Sequence, residues 1–206
     1  MNLKTLKSLW PFAVLLIAVS CGVENLNRQT EPMVVVYRSI ESYWEQINAD
    51  WTMKDGMFES HGRTDDWAIL LSKETLPAEF EVEMMVNMVE GELFELMVNT
   101  QHQKYVRAYL YTTEQNAHLG KGELDRNNIK RPGGGKTHLI SQDLVIENGK
   151  WYELKARYEA GVFTFYFEGE KALEYSLVEL GLSTSGKLGL LSNGNTLVKD
   201  LKISAL

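Results

Sequence analysis

The chain has 206 residues and an apolar content of 44%, which suits one domain with a hydrophobic core and a short appendage. Its formal net charge is −7. Because binding to nucleic acid depends on clustered positive charge, and no element of this sequence carries a basic cluster, we expect no nucleic-acid partner.

The N-terminus has the organisation of a secretion signal. Lys4 and Lys7 precede an apolar run over residues 9–19, which is shorter than the about 20 residues of a membrane-spanning helix. The run ends in Ala18-Val19-Ser20-Cys21-Gly22, which resembles a bacterial lipobox. We therefore predict a signal peptide over residues 1–20 and a lipid anchor on Cys21.

The predicted tether covers residues 21–32 and the predicted folded domain covers residues 33–206. Cys21 is the single cysteine of the chain, so we expect neither an intramolecular disulfide nor a cysteine metal site. Because Gly22 rather than Asp follows Cys21, resemblance to enteric lipoproteins favours the outer membrane. The expected location is therefore the bacterial cell envelope, with the membrane as a partner through the anchor.

The domain has β-type patterning almost throughout. Residues 40, 43, 44 and 47 are apolar at helical spacing and predict one short helix. Elsewhere, alternating polarity and turn dipeptides such as Asp55-Gly56 and Asn193-Gly194 predict about a dozen short strands. The predicted strands cover residues 34–37, 51–53, 57–60, 67–71, 79–89, 93–101, 105–111, 138–146, 151–159, 162–167, 171–177, 187–191 and 197–204. This spacing predicts an all-β antiparallel sandwich of two sheets.

The stretch over residues 112–137 is the least regular part of the domain. It is rich in Gly, Asn and charged residues, and it contains the run Gly133-Gly134-Gly135. We predict a single long loop here, and loops of this length in compact domains are uncommon and often functional.

The strand over residues 105–111 alternates strictly between apolar and polar-tipped side chains. Its polar side, which we call the tyrosine face, consists of Tyr105, Arg107, Tyr109 and Tyr111. Three tyrosines and an arginine on one sheet face are typical of a surface that binds a flat, hydroxyl-rich ligand such as a sugar. The alternative is aromatic cross-strand pairing that only stiffens the sheet.

Three further residues belong to the predicted ligand site. In the strand over residues 93–101, Phe94, Leu96 and Val98 share one side, so Glu95 and Asn99 should lie beside the tyrosine face. We predict Asn99 as a ligand-binding residue and Glu95 as the best candidate for a catalytic carboxylate. Trp67 follows two aspartates and is a candidate for stacking on a sugar ring at the rim.

Asp65 and Asp66 are candidates for a metal site. Hard cations such as calcium take carboxylate and carbonyl ligands, and His61 is close in sequence. The alternative is a simple turn before Trp67. We therefore predict no cofactor beyond a possible structural calcium ion.

Three stretches of the domain carry a family resemblance: the hairpin Trp51-Thr52-Met53-Lys54-Asp55-Gly56, the strand entry Asn148-Gly149-Lys150-Trp151-Tyr152-Glu153-Leu154-Lys155, and the closing hairpin over residues 186–203. They resemble the concanavalin A-like jelly rolls, which include laminin-G-like modules, and look most like the 3-keto-disaccharide hydrolase domain of bacterial envelope proteins. The resemblance implies a jelly-roll fold. It does not extend to the family's middle, where Arg107 and Tyr109 stand in place of its Glu and Gln, so no catalytic residue is carried over from it.

Three functions remain open. The first is an envelope lipoprotein whose jelly roll binds carbohydrate on its concave sheet, around the tyrosine face. The second is a hydrolase of glycosides or 3-keto-disaccharides that acts on envelope or dietary glycans. The third is a structural or adhesive module of the envelope.

Overall fold

The structure is a computed structural model, and it describes residues 35–36, 39–48, 50–135 and 137–206. The predicted signal peptide, the lipid anchor on Cys21 and the tether lie outside the described residues. Within the described ranges, no helix is both long and apolar enough to cross a membrane.

Strands dominate the described chain, with one helical turn near its start and one 3-10 turn late in the chain. The helix α1 covers Ile40–Tyr43, and the 3-10 turn covers Val178–Leu180. The strands are β1 (Val35–Val36), β2 (Trp44–Asn48), β3 (Trp51–Lys54), β4 (Met57–Ser60), β5 (Ala68–Thr75), β6 (Phe80–Met88), β7 (Leu93–Gln101), β8 (Lys104–Tyr111), β9 (Asn116–Glu123), β10 (Thr137–Asp143), β11 (Trp151–Glu159), β12 (Val162–Phe167), β13 (Glu170–Ser176), β14 (Lys187–Ser192) and β15 (Thr196–Ala205).

These strands form two antiparallel sheets. The eight-stranded sheet has the order β13-β12-β11-β6-β15-β4-β3, with β1 also paired to β15. The seven-stranded sheet has the order β10-β9-β8-β7-β14-β5-β2. The prediction of an all-β, two-sheet jelly-roll sandwich is therefore confirmed.

The main core lies between the sheets and follows from the alternation of the strands. On β6 the inward residues Phe80, Val82, Met84, Val86 and Met88 are at most 2% exposed. The facing side chains of the other sheet include Phe94, Leu96, Val106, Leu110 and Leu190. Each such side chain contributes about 1.5–3 kcal/mol when fully buried, so this layer fixes the sheet on which the tyrosine face lies.

The helix α1 is shorter than predicted. The second half of the predicted helix is wrong, because those residues form the strand β2. Ser39 caps α1 by accepting a hydrogen bond from the Ser42 N–H at 3.1 Å, but the backbone becomes extended at Trp44. From there β2 pairs with β5, with Ile47 opposite Ile69. A single helical turn is marginal by itself, so pairing along the sheet edge determines the conformation of these residues.

The predicted loop over residues 112–137 is also partly wrong, because it contains the strand β9. Glycine is unfavourable inside a strand unless a neighbour approaches closely. A Cβ on Gly122 would lie 2.2 Å from the ring of Tyr105, and a Cβ on Gly120 would lie 2.1 Å from the carbonyl oxygen of Thr137. The glycines of β9 therefore make room for its neighbours, and the irregular part of the described stretch is confined to residues 112–115 and 124–135.

A second apolar cluster lies on the outer face of the seven-stranded sheet, the side turned away from the main core. It joins residues of β5, β7, β8 and β14 to Leu124, which follows β9. Its buried members are Ile69, Leu71, Leu93, Met97, Tyr105, Tyr109, Leu124 and Leu191. Because Leu124 begins the segment that runs over this face, we call residues 124–135 the covering segment.

Candidate functional site

The tyrosine face lies on this outer face, and its exposure changes along β8. Tyr105 is 0% exposed, Arg107 and Tyr109 are 4% exposed, and Tyr111 is half-buried. The four side chains therefore share one face of the sheet as the alternation predicts, but the sequence did not predict that the covering segment buries most of that face. Only the end of the face near Tyr111 is open to a ligand.

The covering segment buries Tyr105. The Tyr105 hydroxyl accepts a hydrogen bond from the backbone N–H of Gly134 at 2.6 Å. Backbone hydrogen bonds secure the segment to the rest of the chain, among them those from Glu123 to Gly134 and from Trp67 to Lys130, both at 2.8 Å. Burial, followed by the nearby charge of Glu95, raises the pKa of Tyr105 well above its ordinary value. Tyr105 consequently supports the covering segment and does not touch a ligand in the cavity described below.

Glu95 and Arg107 form a buried ion pair next to Tyr105. The Arg107 guanidinium donates to the Glu95 carboxylate through Nε at 2.9 Å and through Nη2, and its Nη1 donates to the Gly135 carbonyl at 2.6 Å. The Glu95 side chain is 0% exposed. The expectation that Glu95 presents its carboxylate to a substrate is therefore wrong, because the carboxylate is covered and is bound by Arg107.

Asn99 does not lie on an open surface either. It is 1% exposed, and neither atom of its side-chain amide has a hydrogen-bond partner within the described residues. Its φ is 53°, and the pairing of β7 with β8 shifts register between Val98 and Gln101. This irregularity interrupts the strict alternation from which its exposure beside the tyrosines was predicted.

Two histidines flank Tyr109. His118 lies opposite Tyr109 on β9 and stacks on its ring at a centroid distance of 4.9 Å, with an interplanar angle of 20°. His138 on β10 places its Nδ1 at 2.5 Å from the Tyr109 hydroxyl, and the Arg107 guanidinium carbon lies 4.1 Å from the ring centroid. Burial raises the pKa of Tyr109 to about 12, so this phenol is a hydrogen-bonding group rather than a nucleophile at neutral pH.

A cavity of about 370 Å³ opens beside Tyr109, between the covering segment and one end of the sheet. Its aromatic walls are Trp67, Tyr109 and Tyr111. The remaining lining residues are mostly polar: Thr64, Glu92, Leu93, Arg107, Glu114, Arg131, Gly135, His138 and Asn193. Such a combination of aromatic surface and convergent polar groups is usual for small-molecule sites.

The cavity brings together four of the seven predicted site residues, namely Trp67, Arg107, Tyr109 and Tyr111. Their roles in ligand binding stay predictions. Glu95, Asn99 and Tyr105 do not line it. Sequence reasoning missed Arg131, which lies in the predicted loop, and His138, which lies in the strand predicted after it. Only the pairing of β8, β9 and β10 and the path of the covering segment bring them to Tyr109.

Asp65 and Asp66 are directed to protein partners. Asp66 Oδ1 accepts a hydrogen bond from the Asn48 side chain at 2.5 Å, and Asp65 lies 3.6 Å from the Arg63 guanidinium. Across the part of the chain that the structure describes, no three His, Cys, Asp or Glu side chains are grouped as metal ligands would be. The predicted calcium site therefore has no such group of ligands among these residues.

Comparison with known proteins supports the fold. No protein-family model and no curated protein matches the sequence. A carbohydrate-binding module from Bacillus subtilis has a TM-score of 0.64 at 15% identity, and the match covers 79% of this chain and 95% of the module. A Bacillus subtilis protein of unknown function with a galectin-like fold has a TM-score of 0.63 at 13% identity, with 84% of this chain and 94% of the other covered.

A protein from Parabacteroides distasonis, provisionally described as a glycosyl hydrolase, is also similar. Its TM-score is 0.56 at 15% identity, and the match covers 79% of this chain and 99% of that protein. At these identities the likeness establishes the jelly-roll fold and no more.

Proposed function

We propose that this chain binds carbohydrate in the cavity beside Tyr109. The observation that carries the proposal is the lining of the cavity, where Trp67, Tyr109 and Tyr111 supply aromatic surface next to carboxylate, amide, imidazole and guanidinium groups. Aromatic rings pack on the C–H faces of a sugar, while polar side chains bond its hydroxyls. The volume of about 370 Å³ lies within the usual range for ligand pockets.

The structural neighbours support the same proposal. They include a carbohydrate-binding module and a protein provisionally described as a glycosyl hydrolase. Sites are grafted onto folds and differ between proteins that share one, so the argument depends on the lining residues of this chain. The neighbours show that this architecture hosts carbohydrate recognition elsewhere.

A glycan array probed with the purified chain tests the proposal. We expect binding to a subset of glycans and a loss of that binding in Trp67→Ala, because the aromatic wall of the cavity is removed. Trp151→Ala is the matched control, since Trp151 is a half-buried tryptophan on the eight-stranded sheet. Binding that survives Trp67→Ala, or that both variants reduce equally, would contradict the proposed site.

Hydrolysis of glycosides or keto-disaccharides is the second candidate function. The observation in its favour is that two carboxylates, Glu92 and Glu114, line the cavity together with His138. Glycosidases commonly use a pair of carboxylates. If the chain is a hydrolase, an array ligand should be cleaved on incubation, and Glu92→Gln or Glu114→Gln should abolish the release of new reducing ends while binding persists.

We also propose that the chain is a lipoprotein of the bacterial envelope, anchored through Cys21. The proposal rests on the lipobox-like stretch over residues 18–22. Metabolic labelling with a fatty-acid analogue should mark the chain in a bacterial host, and Cys21→Ser should abolish the label. Equal labelling of the unmodified protein and the Cys21→Ser variant would contradict the lipid anchor.

A further inference from the structure

Arg131 differs from the other arginines of the described chain in having no carboxylate partner. Five arginines are described, and four of them lie within ion-pair distance of an acidic side chain. These four pairs are Arg63–Asp65, Arg107–Glu95, Arg126–Glu45 and Arg157–Glu159. The exposed guanidinium of Arg131 instead faces the ring of Trp67, with 5.8 Å between its central carbon and the ring centroid.

Hydrogen bonds hold the backbone around Arg131, although its side chain makes no ion pair with any residue that the structure describes. Its own N–H donates to Asn128 Oδ1 at 3.0 Å. The carbonyl of Lys130 accepts from the Trp67 N–H at 2.8 Å and from the Asn48 side chain at 3.2 Å. Arg131 and Trp67 are therefore held together at the rim of the cavity, and the guanidinium keeps its hydrogen-bond donors available.

The other charged groups that line the cavity are either paired with an opposite charge or distant from Arg131. Arg107 is paired with Glu95 beneath the cavity. Glu114, whose carboxylate is 3.4 Å from His118 Nε2, precedes β9, whereas Trp67 precedes β5. Strands β14, β7 and β8 separate β5 from β9, so the two positions are about 19 Å apart across the sheet. Glu92 precedes β7, which lies between them. The cavity thus has a basic rim at Trp67 and an acidic end at Glu114.

We propose that the carbohydrate bound in this cavity is acidic, and that Arg131 binds its anionic group, a carboxylate or a sulfate ester, next to Trp67. The proposal rests on the proposed carbohydrate function. A guanidinium presents planar, paired donors that match such oxygens, and it can do so while stacked on an aromatic ring. The Glu114 carboxylate at the opposite end, and that of Glu92 between the two ends, accept hydrogen bonds from sugar hydroxyls, which orients the ligand with its anionic group toward Arg131.

The test uses matched pairs of oligosaccharides on several backbones. Each uronate oligosaccharide is compared with its methyl ester, and each sulfated oligosaccharide with its desulfated form. We expect one acidic class to bind about tenfold tighter than its neutral partner, as one charge-assisted contact allows. Which class shows the preference identifies the anionic group as a carboxylate or a sulfate. The preference should shrink when the salt concentration is raised.

Arg131→Gln should abolish the preference, so that the acidic and the neutral partner of each pair bind with equal affinity. Lys130→Gln is the control, because Lys130 is the adjacent exposed cation and its side chain does not line the cavity. Thermal denaturation should show the same midpoint for both variants and the unmodified chain.

Four results would overturn the inference. The first is equal binding of acidic and neutral partners in every pair, and the second is an equal loss for both partners in Arg131→Gln. The third is an equal effect of Lys130→Gln, which would indicate non-specific charge attraction. The fourth is the absence of binding to any glycan, acidic or neutral, and in that case the proposed function fails together with the inference. If neutral glycans bind through Trp67 without any acidic preference, which is the first result, only this inference fails.

Discussion

Replacing Glu95 with Gln should destabilise the fold strongly, because it leaves the Arg107 charge buried without a counter-charge. The side chains of Arg107 and Glu95 are 5% and 0% exposed. Removing one partner of a buried ion pair typically costs about 3–5 kcal/mol in the free energy of unfolding. For a domain of this size each kcal/mol lowers the melting temperature by about 2–4 °C. The expected drop is therefore about 6–20 °C.

An exposed ion pair between β2 and the covering segment provides the matched control. Glu45 and Arg126 are 40% and 47% exposed, with 2.7 Å between their charged atoms. Because water screens such a pair, Glu45→Gln should cost at most about 1 kcal/mol. Urea and thermal denaturation of the two variants, followed by circular dichroism, measure the contrast.

This comparison also distinguishes two roles for Glu95. If Glu95→Gln destabilises no more than Glu45→Gln, the buried pair does not stabilise the fold as argued here. A variant that keeps full stability but loses the ability to cleave a bound glycan would restore Glu95 as a catalytic group. A large loss of stability in Glu95→Gln alone supports the structural role.

Two further predictions concern the neighbours of the tyrosine face. Gly122→Ala should lower the free energy of unfolding by about 1–3 kcal/mol through overpacking, because its Cβ would lie 2.2 Å from the Tyr105 ring. Chemical denaturation should show a smaller loss when the same substitution is made in the Tyr105→Ala variant, and an equal loss would refute the clash. Burial, followed by the charge of His138, lowers the pKa of His118 below its ordinary value of 6.5. The imidazole of His118 therefore binds a proton more readily in the unfolded chain than in the folded one. The contribution of neutral His118 to the free energy of unfolding is fully present above about pH 6.5 and is lost as the pH falls below that value. His118→Phe should lack this loss when urea titrations at about pH 7.5 and 5.5 are compared. An unchanged dependence of stability on pH in the variant would contradict the prediction.

The strands were predictable wherever alternation was clean. Phe80 to Met88 alternates without interruption, and Asp55-Gly56 and Asn193-Gly194 mark turns at the ends of strands, so β6 and the β3–β4 and β14–β15 connections follow from local pattern. The strand β9 was not predictable in this way. Its glycines are required by Tyr105 and Thr137 on the neighbouring strands, and no local pattern contains that information.

The candidate site was predictable only in part, for a related reason. The alternation of residues 105–111 identified Tyr109 and Tyr111 without any structure. The burial of Tyr105 depends on a hydrogen bond to Gly134, 29 residues away in sequence. His118 and His138 reach Tyr109 through strand pairing. Contacts of this range are set by topology, which the alternation of one strand does not specify.

The covering segment links the stability of the tyrosine face to the shape of the cavity. Gly134 has a φ of +93°, and a Cβ there would lie 2.9 Å from the Trp67 ring. The same residue donates to Tyr105, and the next one accepts from Arg107. The contacts that bury one end of the tyrosine face therefore also set where Trp67 and Arg131 lie at the other end. A change that loosens the segment should alter ligand binding before it disturbs the core between the sheets, because that core makes its contacts on the opposite side of the seven-stranded sheet.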